Sequence, residues 1–138
     1  MKTRLSILLL GCLMLVLSPL TSRAATSPFI TEGKSHGVMY ASGGVGKDER
    51  MAMKAMAQNY NVKIVFVEAP KDYVAGVQMK IEDHSGKLLL ETTSSGPLFW
   101  ANLPQGDYRI IATFHNHREM KNLKVAGGAE TVEFFWKT

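Results

Sequence analysis

The sequence predicts a mostly β protein, a β-sandwich with one N-terminal α-helix packed on it. Apolar and polar residues alternate in short runs from Val62 to Trp136, and the runs recur about every 8–12 residues with Gly, Pro, Asn or Asp between them. Ahead of these runs, residues 47–60 carry apolar side chains at helical spacing. Strand–helix–strand alternation does not recur, so a parallel α/β sheet is not indicated.

The first 24 residues have the pattern of a secretory signal peptide. Lys2 and Arg4 precede an apolar run, residues 5–17, and Ser22-Arg23-Ala24 supplies small residues at the positions read by a signal peptidase. The run is shorter than the roughly 20 apolar residues that a membrane-spanning helix needs. We therefore expect an exported protein, periplasmic or secreted, that is cleaved after Ala24.

Removal of the signal peptide changes the arguments from charge and cysteine content. The chain has 16 Lys and Arg against 12 Asp and Glu, but Lys2, Arg4 and Arg23 leave with the signal, so 13 basic residues remain against 12 acidic ones. This near-neutral balance disfavours nucleic acid as a partner. Cys12, the single cysteine, leaves too, so we expect folding without disulfides. Residues 9–12, Leu-Leu-Gly-Cys, are similar to a lipoprotein signal, which makes a lipid anchor on Cys12 the less favoured alternative.

The exported chain divides into a lead-in and one domain of residues 47–138. Residues 25–46 are rich in Ser, Thr and Gly without sustained periodicity, which predicts a flexible lead-in. The helix follows over residues 47–60, because alanine and methionine favour helix and acidic residues in the first turn favour its positive end. Its predicted apolar face consists of Met51, Ala52, Ala55, Met56 and Tyr60.

The strands are placed by series of alternating apolar residues. The series are Val62, Ile64 and Phe66; Val77, Met79 and Ile81; Leu88 and Leu90; Tyr108, Ile110, Ala112 and Phe114; Leu123 and Val125; and Val132, Phe134 and Trp136. Phe134, Phe135 and Trp136 put bulk on both faces of the last strand. Either the helix covers the second face, which we favour, or an exposed aromatic patch marks a partner surface.

Residues 42–50, Ser-Gly-Gly-Val-Gly-Lys-Asp-Glu-Arg, are similar in composition to a phosphate-binding loop. Such a loop needs a preceding strand, a following helix, and Ser or Thr after the lysine to hold Mg²⁺. Asp48 stands at the hydroxyl position, and no α/β sheet follows. We therefore predict no nucleotide site and no cofactor. In the favoured interpretation, Gly43, Gly44 and Gly46 supply unusual backbone angles before the helix.

Two groups of residues resemble metal ligands. His115 and His117, with Glu119, suit zinc or copper if they share one strand face, but the simpler interpretation is a hairpin tip, and a site usually needs three or four ligands. Met51-x-Met53-x-x-Met56 has a spacing used for copper(I). On a helix, however, Met51 and Met53 lie about 160° apart, so a core role is favoured. No metal is predicted.

The second half of the chain resembles the carboxypeptidase regulatory-like domains. The matching features are Gly76-Val77 at a strand start, the turn 83–86, Gly96, the Leu-Pro-Gln-Gly-Asp-Tyr element 103–108, and the terminal apolar strand. These domains are similar to transthyretin-like and collagen-adhesin B-type β-sandwiches, and with the glycine-rich element the resemblance spans about residues 38–137. It implies an antiparallel seven-stranded sandwich without catalytic activity, used for folding, spacing or binding.

The sequence lacks the expected catalytic sets. A hydroxyisourate hydrolase of the transthyretin-like fold needs several histidines and a terminal Tyr-Arg-Gly-Ser, whereas this chain ends Phe-Phe-Trp-Lys-Thr. There is no Gly-x-Ser-x-Gly elbow, and no cysteine remains after cleavage. We therefore predict that the protein is not an enzyme.

The predicted function is a non-enzymatic binding or structural module of the bacterial envelope, with an unidentified protein or envelope component as partner. The alternative is a small periplasmic metal-handling protein that uses the His115/His117 hairpin. Candidate partner-binding loops are residues 43–50, 94–97 and 116–118, although the sequence does not show that they share an end. The candidate contact residues are Gly43, Gly44, Gly46, Arg50, Trp100 and Trp136.

Overall fold

The structure, a computed structural model, describes residues 29–137. The predicted signal peptide with Cys12, the start of the lead-in and Thr138 lie outside the described residues. Within residues 29–137, no helix has the length and apolar character needed to cross a membrane.

The described chain contains ten strands, one α-helix and one 3-10 turn. Strands β1 (Thr31–Ser35) and β2 (Val38–Gly43) form a hairpin, and α1 (Lys47–Met56) follows with a 3-10 turn at Ala57–Asn59. The other strands are β3 (Val62–Glu68), β4 (Asp72–Tyr73), β5 (Gln78–Asp83), β6 (Leu88–Thr93), β7 (Leu98–Ala101), β8 (Gly106–Phe114), β9 (His117–Val125) and β10 (Glu130–Trp136). The predicted mostly β class is confirmed, but the predicted number of seven strands is wrong.

The strands form two sheets that enclose the core. The first sheet has the order β1-β2-β7-β3-β10, with β4 also paired to β3, and the second has the order β6-β5-β8-β9. Most pairs are antiparallel, but β10 runs parallel to β3, with Phe134 opposite Phe66. The sandwich is therefore not purely antiparallel, because the chain crosses from β9 in the second sheet to β10 in the first.

The first hairpin corrects the prediction of a flexible lead-in over residues 25–46. Strand β1 is polar, and β2 buries Val38, Ala41 and Ser42, so neither strand shows the strict alternation that would mark it in the sequence. Strand β2 gains its partner from β7, far along the chain. The ring of Tyr40 on β2 stacks on Phe99 of β7 with 5.4 Å between ring centroids. Tertiary pairing, rather than local pattern, thus makes these residues a hairpin.

The core between the sheets follows the predicted series closely. Its largest fully buried side chains include Phe66, Phe99 and Phe134. Leu88 departs from the series, because a bulge in the pairing of β5 with β6 sets Ile81 opposite Leu90 but Glu82 opposite Leu88. The extra residue turns Leu88 outward, where it is exposed.

The predicted helix is present and covers part of the outer face of the first sheet. Trp100 lies beneath α1, only 5% exposed, and its Nε1–H donates to the Met53 carbonyl oxygen over 2.7 Å. Ala41 and Leu98 pack in the same cluster. Phe135 lies outside this cluster and is 38% exposed, so α1 covers only part of the second face.

The buried face of α1 differs from the predicted one. Met53 is fully buried and Met56 partly buried, whereas Met51 is 60% exposed and Ala55 is exposed. Met51 and Met53 are equally apolar and point to nearly opposite sides of the helix. Periodicity alone therefore could not decide which of them would meet Trp100.

Replacement of the buried methionine tests this helix orientation. Met53→Ala removes buried apolar volume against Trp100 and should lower the free energy of unfolding by about 2–5 kcal/mol. Met51→Ala, two residues away and exposed, should change it by less than about 0.5 kcal/mol. Urea denaturation followed by tryptophan fluorescence measures both values, and equal losses would contradict the observed orientation.

Candidate functional site

The glycine-rich segment before α1 is a close-packed joint. A Cβ on Gly96 would overlap the carbonyl group of Gly43, and a Cβ on Gly44 would lie 2.9 Å from Leu98 Cγ. The Gly44 amide donates to Oε1 of the buried Glu49 over 2.9 Å. Gly43 and Gly44 thus serve packing, and one amide of the supposed phosphate loop is already bonded to a carboxylate.

The remaining residues of this segment are more accessible. Gly46 is exposed, has φ of 81° and occupies the position before the first helical residue. Lys47 is exposed and Arg50 is half-buried. Of the candidate contacts in this segment, Gly46 and Arg50 therefore remain open to a partner, while Gly43 and Gly44 are buried.

The three candidate loops lie at the same end of the sandwich. Gln78 at the start of β5 is paired with both Thr93 and Thr113, which brings residues 94–97 and 116–118 to one end of the second sheet. The Ser95 amide donates to Ser42 Oγ over 3.0 Å, which joins the end of β2 to the same region. The structure thus supplies a juxtaposition that the sequence did not show.

The histidine hairpin is a two-residue turn between β8 and β9. His115 and Asn116 have positive φ values of 46° and 65°, and the His115 ring stacks on Phe114 with 4.0 Å between centroids. The backbone carbonyl of His117 accepts a hydrogen bond from Trp136 Nε1 over 3.0 Å. Glu119 lies two positions farther along β9, opposite Ala112.

The other histidines do not complete a metal site at this hairpin. His36 lies in the β1–β2 turn and His84 in the β5–β6 turn, at the opposite end of the sandwich from His115. Across residues 29–137, no three His, Cys, Asp or Glu side chains are grouped so that they could hold a metal ion.

Both tryptophans proposed as partner contacts are packing residues. Trp100 lies under α1, and Trp136 is 4% exposed within the core between the sheets. Their substitution would disturb the fold before it tested any surface. The question whether the terminal aromatic residues are core or interface is therefore decided for Trp136, while Phe135 is accessible.

A cleft at the end opposite the glycine joint forms the main candidate site. Two cavities of about 400 and 350 Å³ adjoin there and share the residues Asp83, His84, Asp107 and Tyr108. Three connections form its walls: the β5–β6 turn, the β7–β8 loop and the tip of the β1–β2 hairpin. We call this site the end cleft.

One wall of the end cleft is fixed by Asp83. Its Oδ1 accepts hydrogen bonds from the Ser85 hydroxyl at 2.6 Å, the Ser85 amide at 2.9 Å and the Lys87 amide at 3.0 Å. The hydrogen bond from the Ser85 hydroxyl is the main cause that lowers the pKa of Asp83, and the backbone amides and nearby His84 lower it further. The turn is thereby held by an ionised carboxylate.

A second wall is fixed by Tyr108 and Asn61. The Tyr108 hydroxyl donates to the Pro104 carbonyl over 2.6 Å, four residues back, in the manner of the tyrosine corner of β-sandwiches. Burial, followed by the charge of Asp83, raises the pKa of Tyr108. The Asn61 side chain accepts from the Leu103 amide and donates to the Leu103 carbonyl, which anchors the start of the loop.

The sequence predicts both turns that line the end cleft, but it does not predict that they lie next to each other. The sequence predicts the turn 83–86 and the element 103–108 as turns of the resembling family, not as a site. Asp83 pairs with Tyr108 across β5 and β8, so the register of one strand pair brings both turns together. A prediction of that pairing would have located the cleft.

The chain shows partial similarity to known proteins. No protein-family profile matches it. A stretch of 44 residues is 48% identical to Colossin-A of Dictyostelium discoideum; it covers 30% of this chain and, after rounding, 0% of Colossin-A. The crystal structures of BcpA, the major pilin subunit of Bacillus cereus, and of a variant of it share 19% identity and a TM-score of 0.41 with this chain, over 55% of this chain and 28% of BcpA. The chain thus spans only a small part of the length of each of these proteins.

A methyl group at Gly96 tests the glycine joint. Gly96→Ala should lower the free energy of unfolding by about 1–3 kcal/mol, because the new Cβ overlaps the backbone of Gly43. Gly128→Ala meets open space and should leave stability unchanged or raise it by less than about 1 kcal/mol. Chemical denaturation compares them, and a neutral Gly96→Ala would contradict the close approach.

The lowered pKa of Asp83 predicts an acid-dependent contribution to stability. Because the pKa is lowered in the folded state, the contribution is complete above the ordinary value of 3.8 and is lost as the pH falls through the lower folded value. In denaturation between about pH 5 and pH 2, Asp83→Asn should flatten the acid-induced loss.

Ser85→Ala provides the matched control for this pH dependence. It keeps the carboxylate but removes the hydroxyl donor at 2.6 Å, so it should flatten the acid-induced loss only in part. An Asp83→Asn profile parallel to that of the unaltered protein would show that the carboxylate does not hold the turn.

Proposed function

We propose that the protein is a non-enzymatic module of the bacterial envelope that recognises a partner protein through the end cleft. One observation carries this proposal: two adjoining cavities lie between turns, and side-chain hydrogen bonds fix those turns. Loops held in this way on a sandwich present a surface with little ordering cost on binding. The cleft therefore offers a preformed concave site.

The chemistry of the cleft supports binding rather than catalysis. Asp83 has a lowered pKa, which makes it a weaker base, and its Oδ1 is already bonded to three donors. The pKa of Tyr108 is raised and its hydroxyl donates a hydrogen bond to the Pro104 carbonyl, so the hydroxyl stays protonated at neutral pH. Both perturbations move these groups away from acid–base or nucleophilic work near pH 7.

The charges of the cleft favour a polar peptide segment as ligand. The lining contains the carboxylates of Asp83 and Asp107 as well as the side chains of Arg109, Lys124 and His84. Such a mixed lining can accept and donate hydrogen bonds to a segment that carries both signs of charge, whereas a purely anionic ligand would meet the two carboxylates. A folded partner that inserts a loop or a chain end fits this arrangement.

The family resemblance and the predicted export agree with this proposal. The two-sheet architecture and the tyrosine corner in the Leu-Pro-Gln-Gly-Asp-Tyr element support a carboxypeptidase regulatory-like sandwich, and such domains commonly serve as spacing or binding modules. Export rests on the signal-like pattern of residues 1–24. We infer that the partner is met in the periplasm or outside the cell.

Site-specific photo-crosslinking in an envelope extract tests the proposal. A photoreactive residue at His84 or Gln105, both in the cleft lining, should capture the same protein. Asp107→Ala should reduce this capture at least about tenfold, because a cleft charge is lost. The same photoreactive residue at Lys47 or Thr131, both exposed and outside the cleft lining, gives the control.

The pattern of capture decides between recognition at the cleft and contact elsewhere. Capture confined to the cleft positions and sensitive to Asp107→Ala supports the proposal. Equal capture from Lys47 or Thr131, capture that survives Asp107→Ala, or the absence of any captured protein contradicts it. The tryptophans are unsuitable controls because both are buried.

A further inference from the structure

Strand β1 is an edge strand with accessible charges. It pairs with β2 on one side only, and no strand of residues 29–137 pairs with its other side. Thr31, Glu32 and Lys34 are exposed, and Gly33 and Ser35 are half-buried. Within the described residues, neither Glu32 nor Lys34 forms an ion pair. Among residues 29–137, nothing therefore pairs with the backbone donors and acceptors on the outer side of β1.

The conformation of β1 is fixed although one of its sides is free. The Ser35 hydroxyl donates to the Leu89 carbonyl of β6 over 3.0 Å, and His36 Nδ1 lies 3.0 Å from the same oxygen. At the centre of the strand, the Tyr40 ring occupies the space that a Cβ on Gly33 would need. The edge is thus held in place against the second sheet and is ready for pairing.

The residues of β1 are complementary to themselves in the antiparallel direction. The strand reads Thr-Glu-Gly-Lys-Ser, and rotation about Gly33 brings Thr31 opposite Ser35, and Glu32 opposite Lys34, of a second copy. Glu32 and Lys34 are paired with Ala41 and Met39 of β2, and Ala41 packs beneath α1, so both charges lie on the outer face of the first sheet. The symmetric pair would therefore place two oppositely charged pairs side by side on one face.

The charge complementarity favours β1 over other edge strands for self-pairing, and it favours the register centred on Gly33. A shift of the pairing by two residues in either direction would place Glu32 opposite Glu32, or Lys34 opposite Lys34. In β9, central self-pairing would set Arg118 opposite Lys124, and in β10 it would set Glu133 opposite itself. In β6, self-pairing about Leu90 would set Leu89 opposite Glu91. Among the longer edge strands of the described chain, β1, β6, β9 and β10, only β1 matches opposite charges at both of its charged positions.

We propose that the protein self-associates through β1 as a two-fold symmetric dimer in which the first sheets of two copies join into one continuous sheet. The two-fold axis passes beside Gly33, and the interface is isologous, so Glu32 of each copy faces Lys34 of the other. The strand is short and its charges are exposed, so the association is expected to be weak and sensitive to salt. The two hairpin tips, and with them the two end clefts, lie at opposite ends of the joined sheet.

Charge reversal and charge exchange test this dimer. Glu32→Lys alone and Lys34→Glu alone each create two like-charged pairs and should raise the dissociation constant about tenfold. The double variant Glu32→Lys with Lys34→Glu exchanges the two charges, so its opposite pairs are restored and its dissociation constant should return to within about threefold of the starting value. Sedimentation velocity of the purified chain from roughly 10 μM to 1 mM measures all four proteins.

A charge reversal on the opposite edge provides the control. Glu133→Lys on β10 should leave the dissociation constant unchanged, and circular dichroism should show the same fold for every variant, since all three positions are exposed. The proposal is overturned by a protein that stays monomeric over the whole range, by association that the single reversals do not weaken, or by a double variant that does not recover.

Discussion

The parallel pairing of β10 with β3 is the constraint on which the rest of the structure depends. It brings Phe66, Phe134 and Trp136 together at the centre of the core, with ring centroids 6.1–6.2 Å apart. The indole of Trp136 then donates to the His117 carbonyl of β9, which belongs to the other sheet. Strand β10 thus forms one edge of the first sheet, contributes aromatic side chains to the core and is hydrogen-bonded to the second sheet through Trp136.

On the opposite side of the sandwich, at β1 and β6, different contacts connect the two sheets. There the tip of the first hairpin reaches the second sheet through Ser35 and His36, which both contact the Leu89 carbonyl. Hydrogen bonds on both sides of the sandwich fix the position of one sheet relative to the other. The buried apolar side chains between the sheets supply most of the stabilisation. Strand β1 is thus held by contacts with β2 and with the second sheet, while no other strand of residues 29–137 pairs with its outer side.

The two ends of the sandwich have different roles. At one end, Gly43, Gly44 and Gly96 allow backbones to approach closely, and the buried Glu49 carboxylate accepts a hydrogen bond from the Gly44 amide. At the other end, Asp83 and Tyr108 each fix a turn by hydrogen bonds within it, and the end cleft lies between these turns. The glycines of the most conspicuous motif therefore serve packing, and the candidate site lies among ordinary turn residues.

The sequence by itself determined the mostly β class, most core positions and the presence of the helix, because period-two and helical spacing follow directly from backbone geometry. Only the tertiary structure decided that residues 31–43 pair with β7, that Met53 rather than Met51 meets Trp100, and that Asp83 and Tyr108 share a cleft. Each of these depends on partners distant in the chain. Local patterns predict which side chains are buried, but the pairing register of strands distant in the chain determines which side chains contact each other.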